Sequence, residues 1–341
     1  FPTLFLGIEI MSLPVYALVV LGLVRTQSAE AALKYLVLGG AATATLLLGI
    51  AFLYGWSGSL AIEVFAAALA SPDPLALAGV ALVTAALFLK AAVVPLHAWA
   101  PDAYEGASAP VTAYMATIIK AGVLLAALRV FDTAPVMLPV AGLIAALPLV
   151  SMAWGNLAAM RQTSFRRMIA YSSIAHAGYL FYALLGAGEG RWEAIVFYLI
   201  VYGLMNVLAF AALPRGADDE RQDRLEALQG LYRRRPFAAI MIAIAMLSLA
   251  GLPPLPGFAA KFLVFRNVLE AGYTGYAVAG LVASYLGLYF YLRVIQYMFM
   301  AEQDPAAARG APRRYAVLAS VLCLVPAVLL MLCPGWLLDR L

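Results

Sequence analysis

Long apolar runs follow one another along the chain, separated by short polar interruptions. A span needs about 20 apolar residues to cross a hydrocarbon core of about 30 Å. On that criterion the pattern predicts ten spans, near 2–24, 31–54, 74–100, 110–131, 135–158, 167–187, 192–213, 237–271, 273–300 and 315–337. The segment Ser59 to Ser71, carrying Glu63, is too short to cross and reads as an interfacial piece between the second and third spans. The predicted fold class is an all-α polytopic membrane protein.

Two runs are too long for one straight helix, since at 1.5 Å per residue 74–100 would extend roughly 40 Å and 237–271 roughly 52 Å. Each carries its own breaker. Pro95 has no N–H for the carbonyl of Ala91, and Gly251, Pro253, Pro254, Pro256 and Gly257 interrupt the other run more severely. Broken backbone at membrane depth is tolerated only where protein or a wet cavity satisfies it, so a polar cavity is expected beside each break. The breaks fall five helices apart, and an odd offset makes the two units cross in opposite directions. That predicts two inverted five-helix repeats, each with a broken helix, as in secondary transporters. The first repeat covers 1–131 and the second 135–300, with a loop and C-terminal helix at 301–341. Lys90 precedes its break and Lys261 follows its own, an offset that repeats keeping chain order do not explain.

Composition agrees with the pattern. The chain is 65% hydrophobic and 12% charged with mean hydropathy +0.92, where a soluble domain is about 45 to 50% apolar and about a quarter charged. The net charge of +4 does not point to nucleic acid, because the arginines cluster in a few loops and orient the protein instead. Alternate loops hold Arg25; Arg161, Arg166 and Arg167; Arg215, Arg221, Arg224, Arg233, Arg234 and Arg235; and Arg309, Arg313 and Arg314. The other side holds Arg129, Arg191, Arg266 and Arg340, and thirteen against four makes the first set cytoplasmic. The run Ala217 to Arg235 reads as a solvated connector. Cys323 and Cys333 form no CxxC or Cys/His cluster, so neither a disulfide nor a metal is expected. Phe1 opens directly into an apolar run without a signal-peptide pattern, and the chain is expected to begin inside a longer protein.

The lysines change the picture most. There are four, Lys34, Lys90, Lys120 and Lys261, each in or at the edge of an apolar run, while the other eighteen basic residues are arginine. A lysine at a helix centre costs about 2.5 to 3.5 kcal/mol on translocon-type scales, so it faces a bundle interior and marks an ion or proton path. Arginine does not release its proton at accessible pH, whereas a desolvated lysine does. Glu9, in the middle of the first run, must be neutral or paired, and Lys90 is its natural partner. Lys34 lies one turn after Glu30, a stabilising i,i+4 pair, and a lysine so near a helix end also has the option of snorkelling to the interface. Lys120 and Lys261 have no charged residue within a turn. His97 beside Trp99 and His176 in Tyr171-Ser172-Ser173-Ile174-Ala175-His176 are weaker candidates for the same path.

The stretch Phe88-Leu89-Lys90-Ala91-Ala92-Val93-Val94-Pro95-Leu96-His97-Ala98-Trp99-Ala100-Pro101-Asp102, with Ala109-Pro110-Val111-Thr112-Ala113, resembles the antiporter-like membrane subunits of respiratory complex I. These are related to the large subunits of multisubunit cation/proton antiporters. Arg167-Met168-Ile169-Ala170-Tyr171-Ser172-Ser173-Ile174 and Gly251-Leu252-Pro253-Pro254-Leu255-Pro256-Gly257-Phe258 extend the likeness. Within the family the N type is the most similar. Glu9, Lys34, a lysine rather than histidine at Lys120, and Lys261 where the M type carries glutamate all favour it. The L type would continue past its last bundle helix into a long lateral helix, which is not expected here. The family has about fourteen helices, so the resemblance implies that roughly four N-terminal helices are missing and that the first repeat is incomplete.

The resemblance implies a proton-translocating subunit of a bacterial inner-membrane NADH:quinone oxidoreductase. Glu9 and Lys90 would modulate the first half-channel, Lys34 and Lys120 would carry the path toward the centre, and Lys261 would release protons from the second. No cofactor is expected in this chain; FMN and iron–sulfur clusters would sit in partner subunits. Expected partners are the other membrane-arm subunits, the lateral helix of the L-type subunit, and lipid. A gradient-driven Na⁺/H⁺ antiporter subunit is the alternative, and a scaffold with relic lysines a third reading.

Overall fold

Each predicted run folds as helix in the computed structural model, which describes residues 1–21, 26–132, 138–186, 188–214, 223–300, 314–338 and 340. Five of the arginines used for orientation, Arg25, Arg215, Arg221, Arg309 and Arg313, lie outside the described residues. Helices α1 (Pro2–Val20) and α2 (Thr26–Ser57) form the first pair. The short α3 (Val64–Leu69) does not cross; its Phe65 packs edge-on against Phe131. At the start of α4 (Pro74–Ala91) the Asp73 carboxylate accepts from the N–H groups of Leu75 at 2.8 Å and Ala76 at 3.3 Å, satisfying donors that a helix start leaves unpaired.

After the first break come α5 (Trp99–Gly106) and then one continuous crossing. It consists of α6 (Ala109–Tyr114), a wider π turn at Met115–Ile119, and α7 (Lys120–Asp132). Three crossings follow, α8 (Leu138–Met160), α9 (Phe165–Tyr182) and α10 (Glu189–Ala212), and α11 (Leu231–Arg234) is a single turn on the connector. Helices α12 (Pro236–Ala250) and α13 (Pro256–Glu270) are the halves of the second broken run. Helices α14 (Thr274–Leu286) and α15 (Leu288–Met300) join at Gly287, and α16 (Arg314–Leu332) is followed by the turn α17 (Gly335–Leu338). Among the described residues nine helices or joined helices are long and apolar enough to cross, and the α12–α13 pair fills the tenth predicted place.

Burial sorts these helices. The span built on α9 is 94% buried, whereas that of α16 is 22% buried; α9 is the spine of the bundle and α16 faces outward. Helix α8 reaches the spine through small residues. A Cβ at Gly155 would come within 2.7 Å of Ala175 N and Tyr171 O, and one at Gly178 within 2.6 Å of Pro148 O. Such backbone-to-backbone packing is how helices associate in lipid, where no hydrophobic drive operates between them.

The connector departs from expectation. Where its residues are described it is two-sided: Arg224, Glu226 and Arg233 face outward as expected, but Leu225, Leu228 and Leu231 are buried and Asp223 is 3% exposed. Arg166, counted above as a loop arginine, is fully buried at the start of α9. It pairs with Asp223 at 2.8 Å and donates to the carbonyl of Ala107, while Ser164 Oγ hydrogen-bonds the same Asp223 carboxylate. A buried charge persists only when paired and hydrogen-bonded, so this arginine ties the connector and the end of α5 to the spine instead of marking an aqueous loop.

Candidate functional site

Both breaks are built alike. At the first, Ala92 adopts the left-handed conformation (φ 63°, ψ 44°), the Val93 N–H reaches back to Phe88 O at 2.8 Å, and the Ala92 N–H reaches Leu89 O at 3.2 Å. At the second, Gly251 takes φ 84°, with Leu252 N–H on Leu247 O at 3.1 Å and Gly251 N–H on Ser248 O at 2.9 Å. This paired closure is the usual left-handed end of a helix. The first helix therefore ends at Ala91, four residues before Pro95, which follows the break rather than causing it.

Side chains satisfy the backbone each break exposes. Val94 N–H donates to Ser151 Oγ at 2.6 Å, and Leu89 O accepts from Trp99 Nε1 at 2.8 Å. Gly257 N–H donates to Ser248 Oγ at 3.1 Å, and Ala250 O accepts from Lys261 Nζ at 2.8 Å. The second break uses its own lysine as a cap. A Cβ at Gly251 would lie 2.7 Å from Lys261 Cδ, so this turn needs glycine both for its φ and for the lysine lying over it.

Lys90 Nζ lies 2.7 Å from Glu9 Oε1, the two side chains 5% and 14% exposed, and Thr43 Oγ1 donates to the same oxygen at 2.7 Å. The pair joins α1 to the last turn of α4. Lys120, placed directly after the π turn, points at the spine instead and donates to Ser173 O at 2.5 Å and to Ser173 Oγ. Tyr104 of α5 shares that serine, its hydroxyl 3.1 Å from Ser173 Oγ. His176, one turn along α9, is held by phenols at both nitrogens, Tyr291 OH at 3.0 Å from Nε2 and Tyr198 OH at 2.8 Å from Nδ1. Tyr291 OH also meets Ser172 Oγ at 2.5 Å.

Lys261 completes the series. Besides Ala250 O it donates to Ser284 Oγ at 3.1 Å and sits 5.0 Å from the centroid of the Tyr179 ring. A cavity of about 10 Å³ adjoins it, lined by His176, Tyr198, Tyr202, Ser248 and Gly257 among others. Among the described residues no carboxylate pairs with Lys120 or Lys261, and both are enclosed, at 4% and 9% exposure. Nor does any group of three His, Cys, Asp or Glu side chains converge to hold a metal, among those residues.

Two candidates stand apart. Lys34 is 44% exposed in its side chain and binds Glu30 and Asp102, both at 2.7 Å. Asp102 and Glu105 in turn hold Arg167 at 2.7 and 2.9 Å. Lys34 thus belongs to an ion network at the α5 end, with different partners from Lys120. Burial pushes the Asp102 carboxyl up, but the hydrogen bonds from Lys34 and Arg167 outweigh it and hold the carboxyl below its ordinary 3.8. His97 accepts from Trp154 Nε1 at 3.2 Å and has no side-chain link to the lysines.

The side chains that sequence reasoning missed are hydroxyls: Ser173, Ser284, Tyr104, Tyr198, Tyr202 and Tyr291. One signal was available. Ser172, Ser173, His176 and Tyr179 recur at three- and four-residue spacing, one face of a helix within an apolar run.

Comparison with known proteins agrees with this architecture. The transmembrane family of NADH:quinone oxidoreductase and Mrp antiporter subunits matches residues 2–287. The NADH-quinone oxidoreductase subunit N of Pelobacter propionicus is 43% identical over 304 residues, 89% of this chain; the match spans 65% of that relative's length. A chain of respiratory complex I from Thermus thermophilus superposes with TM-score 0.83 at 41% identity, covering 98% of this chain and 74% of that one. A chain of the Mrp complex from Dietzia superposes with TM-score 0.81 at 25% identity, covering 98% and 71%.

Proposed function

Because the chain belongs to the NADH:quinone oxidoreductase/Mrp antiporter transmembrane family, we propose that it is a proton-translocating membrane-arm subunit of an NADH:quinone oxidoreductase. The observation that carries this is the pair of enclosed lysines without a counter-charge. Lys120 and Lys261 donate hydrogen bonds to carbonyl and hydroxyl oxygens and not to a carboxylate. An ammonium so placed loses hydration and gains no ion pair, and such a group holds a proton that a small electrostatic change can move. Glu9–Lys90 is the modulating pair: closed, each supports the other's charge, and a passing proton opens it.

In this reading the two breaks belong to two inverted repeats, and matched backbone closure at both supports that pairing. Electron transfer belongs to partner subunits bearing FMN and iron–sulfur clusters. The chain sits in a bacterial inner membrane against neighbouring membrane-arm subunits, the lateral helix of an L-type subunit and lipid. The membrane-arm reading is favoured over a gradient-driven antiporter subunit by 41% identity to a complex I chain against 25% to an Mrp chain. Proton movement that depends on NADH-driven quinone reduction distinguishes the two.

The test is Lys261→Arg in the whole complex, reconstituted into vesicles. Guanidinium keeps the charge but does not release a proton, so quinone-coupled acidification is expected to fall to background. Full pumping by that variant would mean that position 261 releases no proton and would overturn the reading.

A further inference from the structure

A gap separates the two enclosed lysines. Lys120 ends on Ser173, Lys261 ends on Ala250 O and Ser284, and no direct hydrogen bond joins the two groups. Tyr202 of α10 sits between them. Helix α10 packs against the π turn that precedes Lys120 and against both α12 and α13, which flank Lys261. The Tyr202 ring lies 4.8 Å from the His176 ring, centroid to centroid, and the residue is 2% exposed. Its hydroxyl is buried and makes no hydrogen bond of good geometry, although Ser173 and Asn206 lie close enough to interact with it. An orphaned buried hydroxyl costs about 1 to 3 kcal/mol, and most such groups in folded proteins find protein or water. Here the cavity that Tyr202 lines with Lys261, His176, Tyr198 and Ser248 measures about 10 Å³, close to the least volume that holds one water molecule.

We propose that Tyr202 is the relay between the Lys120 and Lys261 sites, its hydroxyl exchanging a proton with Ser173 on one side and with a water molecule in the cavity on the other. This rests on the proton-carrying reading above. The step balances as a chain of hydroxyl exchanges. The Lys120 ammonium gives a proton to Ser173 Oγ, whose own proton passes to Tyr202 Oη. The phenol's proton passes to the cavity water, and the water's to the neutral Lys261 amine. Lys120 ends neutral, Lys261 ends charged, and each hydroxyl and the water gain one proton and lose one. The reverse sequence uses the same atoms. With Ser173 close to the Tyr202 hydroxyl and the cavity on the other side of the same residue, Tyr202 is the point at which the two sites connect.

The experiment compares three variants in the reconstituted complex carrying the full-length subunit. Tyr202→Phe keeps the ring against His176 and removes only the hydroxyl. Positioned acid–base groups contribute roughly 10²–10⁴-fold, and for a relay a fall of at least about tenfold in quinone-coupled proton pumping is expected. Tyr202→His, which restores a group able to accept and donate a proton, is expected to regain part of the rate, and Tyr202→Leu to stay at the level of Tyr202→Phe. Wild-type pumping by Tyr202→Phe overturns the relay, as does a loss that Tyr202→His fails to improve, because the hydroxyl would then not be acting as a proton carrier. Lys261→Arg measured alongside separates the two levels: full pumping there removes the functional reading itself, whereas a silent Tyr202→Phe beside an inactive Lys261→Arg removes the relay alone.

Discussion

The two breaks share a backbone solution and differ in how they treat their lysine. At the first, a residue with a Cβ occupies the left-handed position, Ser151 and Trp99 satisfy the open backbone, and Lys90 is free to pair with Glu9. At the second, glycine occupies that position, and the lysine itself caps the carbonyl of Ala250 with no carboxylate in reach. One lysine is held by an opposite charge and the other by the broken end of its own helix. The helix that follows also differs: α5 is tied down by ions through Asp102, Glu105, Arg167 and Lys34, whereas the described ion pair on α13 is the exposed Arg266–Glu270. The same interruption of a helix thus yields a fixed, charge-compensated site in one half and an uncompensated one in the other.

The largest effect should come from removing the lysines. Lys90→Ala leaves the Glu9 carboxylate buried without its partner and is expected to destabilise by about 3 to 5 kcal/mol. Lys261→Ala leaves a carbonyl unpaired but no orphaned charge, a loss of about 1 to 3 kcal/mol. Thermal denaturation of the solubilised complex orders the two, and equal losses would break the contrast.

A smaller effect concerns the left-handed residues. Gly251→Ala puts a Cβ at φ 84° against Lys261 and is expected to cost about 1 to 2 kcal/mol, with a drop in pumping as the lysine is displaced. Ala92→Gly removes the same strain at φ 63° and is expected to be neutral or to stabilise by less than about 1 kcal/mol. A destabilising Ala92→Gly would show that the two ends are not equivalent.

The smallest effect is pH-dependent. The folded value of Asp102 is depressed by Lys34 and Arg167 despite burial. Its contribution is therefore fully present above the ordinary value of 3.8 and is lost as pH falls through the lower folded value. With the carboxylate 27% exposed, about 1 kcal/mol or less is at stake. Acid titration of stability should be shallower in Asp102→Asn, and an unchanged acid limb would mean that α5 is not held by this network.

The sequence by itself determined the crossings, because each apolar run must bury its backbone polar groups in helix to lie in lipid. It also determined the presence of two breaks and the pairing of Glu9 with Lys90, since a carboxylate in the middle of an apolar run has no better partner than an ammonium in another. Gly251 announced the second break; at the first, Pro95 named the neighbourhood, but nothing local marks Ala92 as left-handed. What only the tertiary structure decided was which polar groups meet across helices. Ser173 becomes the seat of Lys120, Tyr198 and Tyr291 hold His176, and Tyr202 falls between the two lysine sites, through crossings of α5, α7, α9, α10 and α15 that sequence periodicity does not encode. Lys34 went to the ion network and Arg166 to the interior for the same reason: a charge settles where a partner from another segment can neutralise it, and the partner's position is a property of the packed bundle.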